Sequence, residues 1–407
     1  MAVFAGTNFN TSHLTTDLAK KSFPGMITRL MPNGSAPLFG MTSMLGDETA
    51  MAVEHGFFTK TMIFPEATIN GAKLATDTTL TVASSAMLIP GMILQNSQTR
   101  ENMIVDSVTN ATTIVVTRAV GTVAAAAIAD VTVLYQVGTA FEEGSTRPSA
   151  VNNTPVRITN LTQIFRNTWA LTDTARAVQV IAGETNVAES RQDCAAFHAA
   201  DIEKAIFFGQ KSSGTRNGRP FRTMEGLVAA INNTSYYPSI FGGVVNVTTA
   251  GATTTFAQLE AALDPVFNQN TDPKIANERT LFVGGTALKV LTGIGRLSGQ
   301  YQIVDGQTSY GLQFSTFKLS RGTFRLIEHP LFNTNAIWSK MAVAVDLSTF
   351  KLAYLGDRKT QSKEFNTDGN ATDSGIDAVG GTLTTELTTV IKNAPANAVI
   401  YNLTAAA

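Results

Sequence analysis

The stretch that most constrains the fold is residues 186–210, NVAESRQDCAAFHAADIEKAIFFGQ, which predicts one long helix. At 1.5 Å per residue such a helix runs about 37 Å, the width of a small domain. Asn186 is placed to cap its amino end, Glu189 to reach back to the free backbone N–H, and Gly209 to offer a left-handed stop. Between these ends Ala195, Ala199, Ile202 and Ile206 recur at spacings of four, three and four, while Arg191, Asp193, Asp201, Glu203 and Lys204 mostly take other faces. One narrow stripe is expected to pack and the rest to stay polar. With β-rich sequence on both sides, the helix reads as a spine across which other elements lie.

A chain of 407 residues exceeds what one core organises, so two or three domains are expected, and 44% apolar residues suffice to fill them. Only 15% of residues are charged, and 30 Lys plus Arg against 31 Asp plus Glu leave a net charge of −1. That balance argues against an electrostatic nucleic-acid binder. The low charge suits a protein that works packed against copies of itself. Cys194 is the only cysteine, so neither an intrachain disulfide nor a cysteine-cluster zinc site is expected, and a reducing compartment fits. The most apolar run, 124–129, ends at Asp130, well short of a membrane span. The opening MAVFAGTNFNTSHL has no basic segment followed by an apolar one, so no targeting signal or anchor is expected.

Residues 1–50 read as an extended arm, punctuated by Pro24, Pro32, Pro37, Gly25, Gly34 and Gly40. Its apolar anchors, among them Phe4, Phe9, Phe23 and Phe39, need a surface to lie on, either the chain's own body or a neighbour. Residues 53–64 predict a strand closed by Pro65, and 157–171 alternate again with Ile158, Leu161, Ile164, Phe165 and Trp169; the two are expected to pair as a long ribbon. Between them, short strands separated by turn signals predict an inserted small β-barrel or sandwich over 73–138. Residues 172–181 suggest a short helix, and Gly214, Gly218 and Pro220 a loop. Farther on come an amphipathic helix over 256–267 and a strand, glycine pair and helix over 277–297. Two strands across Arg321-Gly322 and a hairpin over 341–355 follow, then a loop over 367–381 and closing strands over 383–391 and 398–403.

The chain offers no catalytic, metal-binding or cofactor-binding constellation. His13, His55, His198 and His329 stand far apart and form no His-Glu-x-x-His pattern, so structural roles are expected. Cys194 and His198 share a helix face but lack an orienting carboxylate or oxyanion site. The 293–299 glycine run has one residue too many for a dinucleotide turn and follows a helix instead of preceding one. Gly209-Gln210-Lys211-Ser212 lacks the upstream glycine of a phosphate loop, and Asp368 and Asp373 fit no calcium loop.

The order of parts, an apolar arm, a β-ribbon, a capped spine helix, a mixed α/β region and a return to strands, resembles the major capsid protein of tailed bacteriophages, whose shell fold herpesviruses share. The short-tailed and long-headed phage subgroup is the nearest likeness. It is carried by Thr-Gln-Ile-Phe at 162–165, Asp-Ile-Glu at 201–203, Phe-Gly-Gln at 208–210 and Arg-Thr-Met-Glu-Gly at 222–226. The resemblance covers nearly the whole chain except 73–138. It implies an α+β capsid fold with the arm at 1–50, an extended-loop ribbon at 51–72 and 139–171, and the inserted β-domain at 73–138. A peripheral domain with the spine would take 172–221, an axial α/β domain 222–332, and completion of the peripheral sheet 333–407. It also implies a structural subunit, not an enzyme, that forms pentamers and hexamers in an icosahedral shell around packaged double-stranded DNA without reading its sequence. A portal protein, a separate scaffolding protein and a decoration protein are the implied partners, with no cofactor, metal or membrane. The implied location is the virion capsid, assembled in the host bacterial cytoplasm. Subunit contacts are expected at Phe4, Phe9, Phe23, Phe57, Phe58, Phe64, Phe165 and Trp169. The competing readings are a β-rich adhesin or fibre protein and a hydrolase with an unrecognised site.

Overall fold

The computed structural model describes residues 36–60, 64–150, 152, 154–178, 186–237, 245–268, 277–298, 307–309, 312–366 and 377–406. Phe4, Phe9, Phe23 and His13 of the expected arm, and Asp368 and Asp373 of the late loop, lie outside them. The described residues divide into two units, one within 36–57, 158–237 and 245–406, the other within 58–157.

In the first unit the spine forms over Asn186–Phe208. Its packed stripe is Cys194, His198, Ile202 and Ile206, one helical turn apart, widened by Glu203 and Phe207. Ala195 is exposed and Ala199 half-buried, so the first half of the stripe sits one residue away from the predicted one, while Ile202 and Ile206 pack as predicted. The reason is chemical: His198 and Glu203 are buried against polar partners, and a count of apolar residues leaves them out. The helix also starts at Asn186 itself, and Gly209 does not take the left-handed conformation expected of it. Gly209 serves a close crossing instead. A Cβ there would lie 2.7 Å from the Met224 carbonyl oxygen, and one on Gly226 would lie 2.7 Å from the Gly209 nitrogen. The Gly226 N–H donates to the Gly209 carbonyl at 2.9 Å, locking the chain that leaves the spine against the start of helix Leu227–Ile231.

Two sheets flank this core. One runs in the order Glu48–Ala50, Phe350–Leu355, Ala378–Ile391, Gln163–Thr172, with Gln361–Phe365 also paired to Ala378–Ile391. The other has seven strands in the order Val247–Thr249, Ala398–Tyr401, Ala342–Val345, Glu278–Val283, Thr323–Glu328, Leu312–Lys318, Gln307–Ser309. Ile206, Phe207, Met224, Leu227, Phe282, Phe332, Leu352 and Leu387 share one core. Helices Phe256–Leu263 and Gly285–Ser298 cover a second core on the seven-stranded sheet, with Leu259, Leu263, Leu281, Val290 and Leu291 inside. A capping box of Thr255 and Gln258 starts the former helix.

Three expectations are corrected here. Residues 163–172 do not continue the ribbon; they pair antiparallel with Ala378–Ile391 from Gln163↔Leu387 to Thr172↔Ala378, and among the described residues the ribbon is the pair Glu54–Thr59 and Val156–Leu161. Residues 341–355 are not a hairpin, because Ala342–Val345 joins the seven-stranded sheet and Phe350–Leu355 the other. A boundary at 332 would cut the seven-stranded sheet, which needs Ala342–Val345 and Ala398–Tyr401. Each error has one cause: pairing partners lie far away in sequence, and alternation alone does not name them.

The second unit holds a β-barrel. Its strands run Glu66–Thr68, Val133–Thr139, Met92–Asn96, Asn102–Asn110, Thr113–Thr117, Thr79–Thr81. The last meets the first through the Ile69–Val82 bridge, with Asn70 N–H donating to Thr81 and Ala83 N–H to Thr68. Closure removes both sheet edges. Leu80, Leu94, Met103, Val105, Ile114, Val116 and Leu134 alternate inward to fill it. The barrel therefore begins at Glu66, earlier than the expected 73. A buried ion pair pins its loops: Arg118 grips Glu101 through two bonds of 2.7 Å and donates to the Leu74, Asp77 and Ala126 carbonyls. Burial raises the Glu101 pKa, but the Arg118 bond and the Ala126 and Ala119 amides outweigh it and hold the carboxyl below its ordinary range.

Candidate assembly surfaces

The aromatic residues expected at subunit contacts divide sharply. Phe58 is 72% exposed and Phe64 is 65% exposed. Phe57, facing the other way on the same strand, is half-buried against the body's core. Phe165 and Trp169 are buried in the chain's own interior, which corrects their expected role, since neither has a surface left to offer a neighbour. Trp169 fills the space over Gly381, where a Cβ would lie 2.8 Å from the indole nitrogen, and the Arg191 guanidinium covers its ring at 5.3 Å. Glycine in the middle of a long strand is thereby explained. Further apolar side chains are bare, chiefly Met51, which is 92% exposed, and Phe197 on the outer side of the spine. The alternation of 53–64 carries the signal for Phe58, but Phe197 has none that separates it from the helix's buried residues.

The polar groups on the spine are clasps, not catalysts. His198 Nδ1 lies 2.7 Å from Asn167 Oδ1, which can only accept, so this nitrogen donates and Nε2 accepts from the Thr385 hydroxyl at 2.7 Å. Burial lowers the His198 pKa, with Asp201 opposing, and burial raises that of Cys194. A neutral imidazole and a neutral thiol are a poor nucleophilic pair. Glu203, expected on a polar face, is fully buried. Its Oε1 accepts from the Leu38 N–H and His329 Nε2, both at 2.8 Å, and its Oε2 accepts from the Phe39 N–H at 2.7 Å. Leu38 and Phe39 open helix Pro37–Met44, whose own Ala36 supplies no side-chain cap, so Glu203 caps it from across the core. Among the described residues no group of three or more His, Cys, Asp or Glu is placed to hold a metal ion.

Where a loop was expected after the spine, strands Ser212–Arg216 and Arg219–Thr223 form a hairpin. Asn217 and Gly218 have φ of 52° and 72°, the primed turn that suits a two-residue connection. In the other unit, an open cleft of about 660 Å³ beside the barrel is lined by Asp106, Thr117, Phe141 and Arg147 among others.

Internal clasps that fix distant segments, a closed barrel and bare aromatic side chains define a structural building block. The chain belongs to the SU10 major capsid protein family, whose model matches residues 4–404. A major capsid protein of Pseudomonas phage PaMx41 is 42% identical over 412 residues, covering 99% of this chain and 97% of that one. Solved structures of Mycobacterium phage Bobi and Mycobacterium phage Cain are similar at 10% and 8% identity, with TM-scores of 0.47 for both. They cover 97% and 98% of this chain and 99% of each of theirs. The protein is thus a phage major capsid protein with an α+β capsid fold, a structural component of the virion and not an enzyme. The adhesin and hydrolase readings fall with that assignment.

Proposed function

We propose that copies of this chain associate as pentamers and hexamers into an icosahedral shell around packaged double-stranded DNA, assembled in the host cytoplasm on a separate scaffolding protein and filled through a portal. The observation that carries the proposal is the pair of bare aromatic rings, Phe58 and Phe64, one on the ribbon and one just before the barrel. Water-exposed phenyl rings in a chain of only 15% charged residues gain by burial on a neighbour. Each contact need only be moderate, because a closed shell holds every subunit through several at once. A net charge of −1 suits an inner wall that contacts DNA without reading or trapping it. In this scheme residues 1–36 serve as the arm, because 37–50 are held in the chain's own body by the Glu203 clasp and by strand Glu48–Ala50, and the barrel bridges neighbouring capsomers or receives a decoration protein.

Negative-stain microscopy of the purified chain with its scaffold tests the proposal. Closed particles built of pentamers and hexamers are expected, and Phe58→Ser with Phe64→Ser should lower particle yield while leaving subunit melting unchanged. A chain that stays monomeric at high concentration with scaffold present would sink it.

A further inference from the structure

We infer that the hairpin Ser212–Arg216 and Arg219–Thr223 is a docking element that seats against carboxylates of a second copy of this chain. The inference rests on the shell-building role proposed above. Its starting point is a cost that the isolated subunit carries. In the hairpin's register Arg216 stands directly opposite Arg219, and like charges so placed repel across an antiparallel pair. The segment 211–223 contains Lys211, Arg216, Arg219 and Arg222 and no acidic residue. Two of these cations are already engaged: Lys211 donates to Thr159, and Arg222 lies 3.7 Å from the Glu386 carboxylate. Among the described residues Arg216 and Arg219 have no carboxylate partner, and both are exposed. Two guanidinium forks at a hairpin tip therefore await an anion.

The choice of a protein anion follows from the rest of the hairpin. Residues 212–221 are exposed along both strands, and a two-stranded hairpin unsupported by a further layer is marginal in water. Its main internal packing is the Phe221 ring over Gly214, whose added Cβ would lie 2.9 Å from that ring. Phe221 nevertheless remains 42% exposed. A phosphate chain would neutralise the arginines and leave this ring wet, whereas a protein surface with carboxylates covers both. Arginine beside a half-bare aromatic is also the composition of interface anchor points. Carboxylates grip guanidinium bidentately, and a second copy presents exposed ones, among them the adjacent Glu142 and Glu143. The repulsion present in the free subunit is thus relieved only on association, which biases the hairpin toward the assembled state.

The test compares wild type, R216K/R219K, R216Q/R219Q and R216E/R219E as full-length chains with scaffold and without DNA, reading particle yield on gradients and melting of the unassembled subunit. R216E/R219E should cut the yield of empty particles at least tenfold, R216Q/R219Q less, and R216K/R219K the least. R216Q/R219Q should leave the subunit's melting temperature unchanged or slightly higher, because the cross-strand repulsion is gone; a purely structural role moves yield and melting down together and overturns the inference. Normal empty particles from R216E/R219E overturn it as well, and if those particles then fail only to retain DNA, the occupant is nucleic acid. Absence of particles from wild type instead takes down the shell-building role on which this inference rests.

Discussion

His198 is the residue whose chemistry is best determined. It donates to Asn167, accepts from Thr385 and is kept neutral by burial, which lowers its pKa from 6.5 against the opposing charge of Asp201. Above pH 6.5 the ring is neutral in folded and unfolded chain alike; as the pH falls through that value the unfolded chain takes up a proton that the folded one resists, so stability declines. His198→Gln should flatten this decline in urea denaturation run between pH 6.5 and about 5, and an unaltered slope would assign it to another group. Glu203 carries a heavier load, since Leu38, Phe39 and His329 all depend on it. Glu203→Ala strands these donors and should cost about 3–5 kcal/mol in unfolding free energy. Neither role is visible in a helical wheel, where both residues read as polar surface.

At the scale of elements, glycines and one ion pair decide what fits. The crossing of Gly209 and Gly226 leaves no room for a side chain, with carbonyl oxygens of Ala205 and Ile206 at 2.7 and 2.9 Å from a Cβ on Gly226. Gly226→Ala should therefore destabilise the subunit by about 1–3 kcal/mol or more, read by thermal melting. In the barrel, Arg118→Ala would leave Glu101 buried without its cation and free the carbonyls of Leu74, Asp77 and Ala126. Protease cleavage within 119–127 should rise, and unfolding free energy should fall by about 3–5 kcal/mol. The spine, the helix beginning at Phe256 and the closing strands were legible because their periodicity is local. The hairpin after the spine was not, because Gly214 and Pro220 read as loop formers, although Asn217-Gly218 supplies the turn that pairs their strands.

For the whole molecule, the role follows from family and from where apolar surface is left bare. Removing residues 2–30 should yield subunits that fold and melt normally but assemble poorly, since the Glu203 clasp on Leu38 and Phe39 stays in place. Particle counts by microscopy beside subunit melting check this; normal shells from the trimmed chain would show that those residues serve no neighbour.

What the sequence by itself determined is the class of fold, the spine and the separateness of the inserted β-module, because helix periodicity, strand alternation and turn residues act over a few neighbours along the chain. The order of its parts also sufficed to place the chain among capsid proteins. Only the tertiary structure decided that Phe165 and Trp169 face inward while Phe58 and Phe64 stay bare, that Glu203 is a buried cap, and that residues 342–345 and 350–355 part into different sheets. Those outcomes depend on which distant segment supplies the opposing surface, and burial is a property of the pair, not of either segment alone.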